Sequence, residues 1–422
     1  MGNSNSNHDD EIESKTDFQK LNERYQLSNA ITKDNLFEIF NNFDDTFVSI
    51  LYNFYAPNNL GINETEFNDI LDNFQFKSCE KLLRYLVNIY DANSKINFDQ
   101  AKLILKWISL STSDDFGEIV MTSYMKSLME DEQFELENFI IWIDRNMPDL
   151  GLDFSKFIWN SLHCNVDLSL NLQLKCSNIV IELNSTVINL SDLFILFACL
   201  PMVYKTCAIN EELYIQHSKH WILLYNSDSH GLSSSKFKEK AFDYIGPLLV
   251  IFQSTTGVYC LASDVGLKED WNVYGDSDTR FMQLRPFYQK YLSGSRTQNG
   301  GVIYSHFTAK SGRRGLFVGH NPLRSAALEL NEDCNTISVM GKLQPLVAIE
   351  VWAVGFDVEK FTEKLYDIRH WEKNQVDKYK NRKIQPEKWN DNPDRDILDW
   401  GGVNVRHADM IGGIERDKEI KN

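Results

Sequence analysis

Apolar residues recur at intervals of three and four from Thr16 to about Trp159. Phe18, Leu21 and Tyr25 form one such set, Leu36, Phe37 and Phe40 another, and Leu82, Leu83, Leu86 and Ile89 a third. This is the period of helices that bury one face. Asp and Asn are frequent between the sets, where caps and turns are needed, and Pro and Gly are scarce. The texture changes at 165–183. Leu168, Leu170, Leu172 and Leu174 alternate, and Ile179-Val180-Ile181 follows, which predicts two strands or a bridging segment. Leu190 to Tyr204 then predicts a buried helix broken near Pro201.

Beyond residue 220 the pattern becomes that of short strands. Leu248-Leu249-Val250-Ile251-Phe252, the turn Ser254-Thr255-Thr256-Gly257 and the run Val258 to Ala262 predict a hairpin. Phe281–Leu284, Val302–Phe307, Leu316–Val318, Ala326–Leu330 and Val347–Val354 are further strand candidates. In the last of these Val347, Ile349, Val351 and Ala353 share one face, and Glu350, Trp352 and Val354 the other. A carboxylate in so apolar a strand must be exposed, or buried with hydrogen-bond partners. Glu350 is expected to be a partly buried structural anchor. The fold class expected is α+β: an all-helical, EF-hand-like N-terminal domain, then antiparallel strands packed like a sandwich with a few helices.

The EF-hand comparison rests on helix, short acidic loop, helix. In Asp91 to Gln100, Asp91 and Asn93 suit the first and third ligand positions, and Ile96 and Phe98 resemble the pairing strand. The loop is about two residues short, lacks the sixth-position Gly, and has Gln100 where a bidentate Glu belongs. A second loop, Asn58 to Phe67, has Gly61, Ile62 and Glu66 at poor spacing. The expectation is an EF-hand-like fold without calcium, and no cofactor elsewhere.

Composition narrows the classes. The 422 residues allow two or three domains. A net charge of −17 argues against a general nucleic-acid binder, which needs clustered Lys and Arg. Seven cysteines with no C-x-x-C pair favour a reducing compartment over a disulfide framework or zinc ribbon. The most apolar stretch, Leu193 to Val203, is too short for the ~20 residues of a membrane-spanning helix.

Catalytic motifs are weak. Ser227, Asp228, Ser229, His230 and Ser233 to Ser235 suggest a hydrolase, but no G-x-S-x-G is present. One of Ser233 to Ser235 is instead expected to cap a helix carrying Phe237 and Phe242. His217 and His220, with His163-Cys164 further back, lack a third metal ligand at a recognisable spacing. Neither GxGxxG nor GxxxxGK[ST] occurs. The reading is therefore of a protein that is not an enzyme.

Both ends carry signals. Met1 to Ser6 fit M-G-x-x-x-[ST], which makes Gly2 a candidate for myristoylation on a flexible arm of residues 1–16. One acyl chain binds membranes marginally, so a second signal is needed. Residues 1–24 carry a net −3 and no cysteine, so the arm does not supply it. From Arg369 to Lys388 the net charge is +4, which with Trp400 suggests a docking segment for an acidic partner or leaflet. Lys378, Lys380, Arg382, Lys383 and Trp400 are its candidate contacts.

Trp221 to Ser227, Ser229-His230-Gly231, Gly246-Pro247, Trp271, Phe281, Gly315 to Gly319 and Glu350-Val351-Trp352, in this order and spacing, resemble the TLDc domain over about residues 190 to 356. With Gly2 and the helical half, the whole chain resembles the myristoylated, lysosome-associated branch of that family, the EAK-type MTOR-associated proteins. Two departures stand out: Cys260-Leu261 and Gly319-His320 occupy positions where the family usually has Gly pairs. The resemblance implies a helical, EF-hand-like domain and bridging segment at 17–184, a TLDc domain at 185–356 and a charged tail at 357–422. It gives Ser229, His230, Gly231, Gly246, Pro247, Trp271, Gly315, Gly319, Glu350 and Trp352 structural or partner-binding roles. It further implies a non-catalytic adaptor on the cytoplasmic face of lysosomal or endosomal membranes and in the cytoplasm. Its partners would be the V-ATPase and the MTOR complex. A link to oxidative-stress resistance, with Cys260 and Cys334 as candidate thiols, is the alternative.

Overall fold

The structure, a computed structural model, describes residues 16–25, 30–40, 43–91, 96–110, 115–128, 134–163, 183–205, 218, 220–275, 277–293, 301–355 and 357–380. The alternating stretch at 165–183 therefore falls almost wholly outside the described residues. The chain divides into two compact units, Met1–Thr362 and Glu363–Asn422.

Among the described residues nine helices open the first unit: α1 (Asp17–Tyr25), α2 (Lys33–Ile39), α3 (Asp45–Tyr55), α4 (Glu64–Phe74), α5 (Cys79–Tyr90), α6 (Phe98–Ile108), α7 (Asp115–Ser127), α8 (Leu136–Asn146) and α9 (Leu152–Leu162). Their starts are encoded locally. Thr32 with Asn35, Asn63 with Glu66 and Asn97 with Gln100 form reciprocal capping boxes, each satisfying two otherwise orphaned N–H groups. Within these boxes Glu66 and Gln100 accept hydrogen bonds from the backbone N–H of Asn63 (2.9 Å) and Asn97 (2.8 Å). The loops before α2 and α4 are tied by an antiparallel bridge, Ile31 to Ile62, with both N–H···O distances at 2.9 Å. Phe47 is the hub of the helical core. Its ring meets Phe40, Phe43, Phe74, Trp107 and Phe154, drawing together α3, α4, α6 and α9.

After α10 (Leu190–Cys199) and a 3-10 turn at Met202–Tyr204, the chain enters the strands, as the break at Pro201 predicts. Among the described residues there are ten: β1 (Ile222–Asn226), β2 (Leu248–Ser254), β3 (Val258–Ser263), β4 (Arg280–Arg285), β5 (Gln289–Ser293), β6 (Ile303–His306), β7 (Gly315–Val318), β8 (Leu328–Leu330), β9 (Thr336–Val339) and β10 (Lys342–Ala353). Between β1 and β2 lie the four-residue α11 (Ser227–His230) and α12 (Ser234–Ala241). The long α13 (Val358–Lys380) follows β10. The order β5-β4-β3-β2-β10-β9-β8-β7-β6 is antiparallel throughout, with β1 also on β10. The fold is α+β, as the sequence implies.

β10 is the strand on which the sheet turns. Lys342–Pro345 pair with β9, whereas Leu346–Ala353 pair with β2 and Glu350–Ala353 also with β1. The apolar pattern marks this strand only from Val347, whereas it begins at Lys342. Pro345 is tolerated because it sits at the end of the β9 ladder, opposite Thr336, where the strand changes partners. β1, β5 and β9 are not among the strands expected from the sequence; in β5, Gln289 and Lys290 interrupt the apolar signal. β2, by contrast, is buried on both faces, which explains its unbroken apolar run. Leu249 and Ile251, with Cys260, Ala262, Met282, Ala348 and Trp352, join the same core as the helices. Phe194 of α10 meets Phe116 of α7 at 6.0 Å. Asp192, fully buried, receives Arg285 Nε at 3.0 Å, and the same guanidinium reaches Val187 O at 2.7 Å. Helical half and sheet thus share one hydrophobic core.

Candidate functional site

The fold distributes the sequence-predicted residues over three places. Glu350 and Trp352 lie on the face of β10 turned to the helices. Glu350 is fully buried rather than partly so. Its Oε1 accepts from Thr186 N (2.8 Å) and Thr186 Oγ1 (3.0 Å), and its Oε2 from Ser185 Oγ (2.6 Å) and Trp352 Nε1 (3.1 Å). Ser185 Oγ in turn accepts from the backbone of Val187 and Ile188. Burial is complete because the segment entering α10 brings three donors to the carboxylate and Trp352, on the same strand, supplies a fourth. The pair is thus a fastener between β10 and that segment, not a solvent-facing site.

Ser229, His230 and Gly231 surround the end of α11 and are exposed. His230 Nδ1 lies 3.0 Å from Asn226 O and 3.2 Å from Asn226 N, so this nitrogen is committed to the backbone. Ser229 Oγ donates to Asn226 O at 3.2 Å and lies 3.5 Å from His230 Nδ1. Tyr225 stacks on the imidazole and donates to Gly231 O at 2.6 Å. Gly231, at φ +77°, takes a left-handed conformation that closes this turn. Ser233 is the N-cap residue of α12, but its side chain makes no capping bond, and Phe242 is the C-cap residue, one beyond the helix. The serine signal therefore places the helix start and misassigns the bond.

Trp271 is the third place. Its ring is 60% exposed, which decides that it is not a core residue. It lies with its centroid 4.1 Å from that of the His306 imidazole. The loop beneath it is tightly held. Glu269 accepts from Lys238 Nζ (3.0 Å), Phe307 N (3.1 Å) and Thr308 Oγ1 (2.8 Å), and Asp270 N donates to Ser305 O (3.0 Å). Those bonds hold the Glu269 carboxyl below the usual range against the opposing effect of burial, which is the largest single influence on it. α12 connects this loop with the His230 turn: Phe237 meets Tyr225 at 5.5 Å and Phe307 at 5.9 Å. An exposed aromatic on a rigid loop loses little freedom on docking, which suits a protein contact.

Gly246, Pro247, Gly315 and Gly319 are packing positions. A Cβ on Gly246 would lie 2.5 Å from Tyr244 Oη and 2.6 Å from Phe361 Cδ2. One on Gly315 would lie 2.1 Å from Leu330 O, and one on Gly319 2.9 Å from Ala327 N. Pro247 O accepts from Val354 N at 3.1 Å. Sequence reasoning missed Gly266, where a Cβ would fall 1.4 Å from Tyr244 O. The only signal for it was an isolated Gly before an apolar residue. Gly2, Arg382, Lys383 and Trp400, the side chains of Lys378 and Lys380, and Cys164, Cys176, Cys207 and His217 lie outside the described residues. His163 is held by stacking on Trp159 at 4.1 Å and by Asp17 at 3.2 Å.

The described cysteines are poor nucleophiles. Burial pushes the Cys334 thiol up to about 12 and that of Cys199 to about 11, and raises Cys79 and Cys260 as well. A raised thiol pKa leaves almost no thiolate at neutral pH. In the folded protein, alkylation at neutral pH followed by mass spectrometry should leave these four unmodified until denaturant is added. Rapid labelling of Cys260 or Cys334 before unfolding would contradict this.

The TLDc domain family profile matches residues 183–344, so the chain carries a TLDc domain. The matched stretch opens at the Ser185-Thr186 segment and ends within β10, a few residues before Glu350. No curated protein matches the chain.

Proposed function

We propose that this chain is a non-catalytic adaptor or regulator on the cytoplasmic face of the lysosomal or endosomal membrane. It binds the V-ATPase through its TLDc domain and acts in MTOR-linked signalling. The observation that carries the reading is the TLDc domain itself, which points to a regulatory or oxidative-stress-related role. The rigid presentation of Trp271 supports a protein contact. Acylation of Gly2 would give weak membrane affinity, which a protein contact raises through effective concentration. The basic tail, with Tyr366 and Trp371 exposed on α13, is a second docking candidate. Action through reactive thiols is the alternative, and the burial of Cys260 and Cys334 weighs against it.

Capture of purified V-ATPase by the full-length chain tests the proposal. The wild-type chain should retain the pump, and Trp271→Ala should reduce its affinity by roughly thirtyfold, the loss typical of an aromatic anchor. Gly2→Ala should move the chain from lysosomal membranes to the cytosolic fraction while leaving capture of the solubilised pump intact. Failure of the wild-type chain to retain the pump, with or without reducing agent, would sink the V-ATPase reading.

A further inference from the structure

A cleft of about 210 Å³ opens between the end of α7, α8 and the turn joining β4 to β5. The turn is docked onto the helices. Tyr288 N donates to Ser123 Oγ (2.7 Å), and Tyr288 Oη donates to Asn146 O (3.3 Å). The cleft therefore has walls from both halves of the first unit, fixed by hydrogen bonds, and room for several water-sized groups.

Two of its lining residues are lysines. Lys126 Nζ sits 3.5 Å from the centroid of the Phe287 ring. Lys290 Nζ, approaching from the β5 side, donates only to Arg145 O, at 3.3 Å. Among the described residues neither makes an ion pair, whereas Lys102, Lys205 and Lys238 each meet a carboxylate. In a chain of net charge −17, two lysines that meet no carboxylate among the described residues give this cleft a local cationic character. Burial lowers the Lys290 pKa, so an anion placed there would relieve a charge that water solvates incompletely. Trp142 and Phe287 add ring faces, and Ser127 and Gln289 add neutral hydrogen-bonding groups. Two ammonium point charges on separate walls favour a dianion over a single carboxylate, and ring faces suit the body that carries it.

We propose that this cleft binds a phosphate monoester, with Lys126 and Lys290 on the phosphate oxygens and Trp142 against the group that bears them. The phosphate can belong to a soluble ester or to a phosphorylated lipid headgroup.

The full-length chain would be titrated calorimetrically with inositol 1,4,5-trisphosphate and with inorganic phosphate, and mixed with phosphatidylcholine vesicles with and without phosphatidylinositol bisphosphate. The inositol phosphate should bind saturably, more tightly than inorganic phosphate, and more weakly as salt rises. Lys126→Gln with Lys290→Gln should weaken it roughly tenfold to a hundredfold, the loss expected for two charge-assisted hydrogen bonds. Lys126→Arg should keep most of the affinity. Lys126 is exposed, so Lys126→Gln alone gives a folded variant, verified by an unchanged melting temperature, in which the loss must already be visible. Sedimentation with the phosphoinositide vesicles that requires both lysines would identify the headgroup as the source. Binding in solution without sedimentation would identify a soluble ester. No saturable binding by the wild-type chain, or binding that the double variant retains, would overturn the proposal.

Discussion

Glu350→Ala is expected to lower the melting temperature by roughly 10 °C. The carboxylate is fully buried and receives four hydrogen bonds. Its removal leaves the Thr186 N–H and the Trp352 indole N–H without their acceptor and the Ser185 hydroxyl without its anchor. Each of those two buried N–H groups left without an acceptor costs about 1–3 kcal/mol, roughly 4 kcal/mol together. At ~2–4 °C per kcal/mol for a domain of this size, that gives the stated shift. Glu350→Gln separates charge from shape. Its Oε1 still accepts from Thr186, but its Nε2 faces the donors Ser185 Oγ and Trp352 Nε1. It should lose roughly half as much as the alanine variant. Thermal unfolding of the three proteins, followed by circular dichroism, is the check. Glu350→Ala melting within a degree or two of wild type would mean that the network contributes nothing.

Gly266→Ala is expected to destabilise by about 3 kcal/mol or to prevent folding of the strand domain. Left-handed backbone is not the reason here. The reason is a close approach: the Phe242–Leu267 bridge lays two backbone segments side by side, and an alanine Cβ would fall 1.4 Å from Tyr244 O. Backbone cannot yield as the end of a side chain can. Gly312→Ala is the contrast, because it meets nothing within 4 Å and carries only its positive φ of +94°. It should cost about 1 kcal/mol. Equal losses at the two positions in chemical denaturation would refute the close-approach argument.

These two residues differ in how legible they were. Glu350 announced itself as a lone carboxylate in an apolar strand, so its importance was readable and its full burial was not. Its partners Ser185 and Thr186 lie about 165 positions away, and no local pattern joins them to it. Gly266 carried almost no signal, since its constraint comes from a segment twenty residues earlier that folds back against it. Trp271 was legible as a motif residue, but not as an exposed one, because exposure depends on which loop covers the ring. The lysine cleft was invisible in the sequence. Lys126 and Lys290 are far apart along the chain and become neighbours only when the β4–β5 turn docks on Ser123 and Asn146.

The sequence by itself determined what is set over three or four residues or by alternation: the capped helices, the doubly buried β2, the hairpin that follows it and the TLDc motifs. It also contains the capping residues Glu66 and Gln100, each at the third position of a helix N-terminus. Tertiary structure alone decided the course of β10 through Pro345, the closure of Glu350 against the entry to α10, and the meeting of Lys126 and Lys290 in one cleft. Each depends on desolvation or partner geometry between distant segments, and those free energies exist only once the chain has folded.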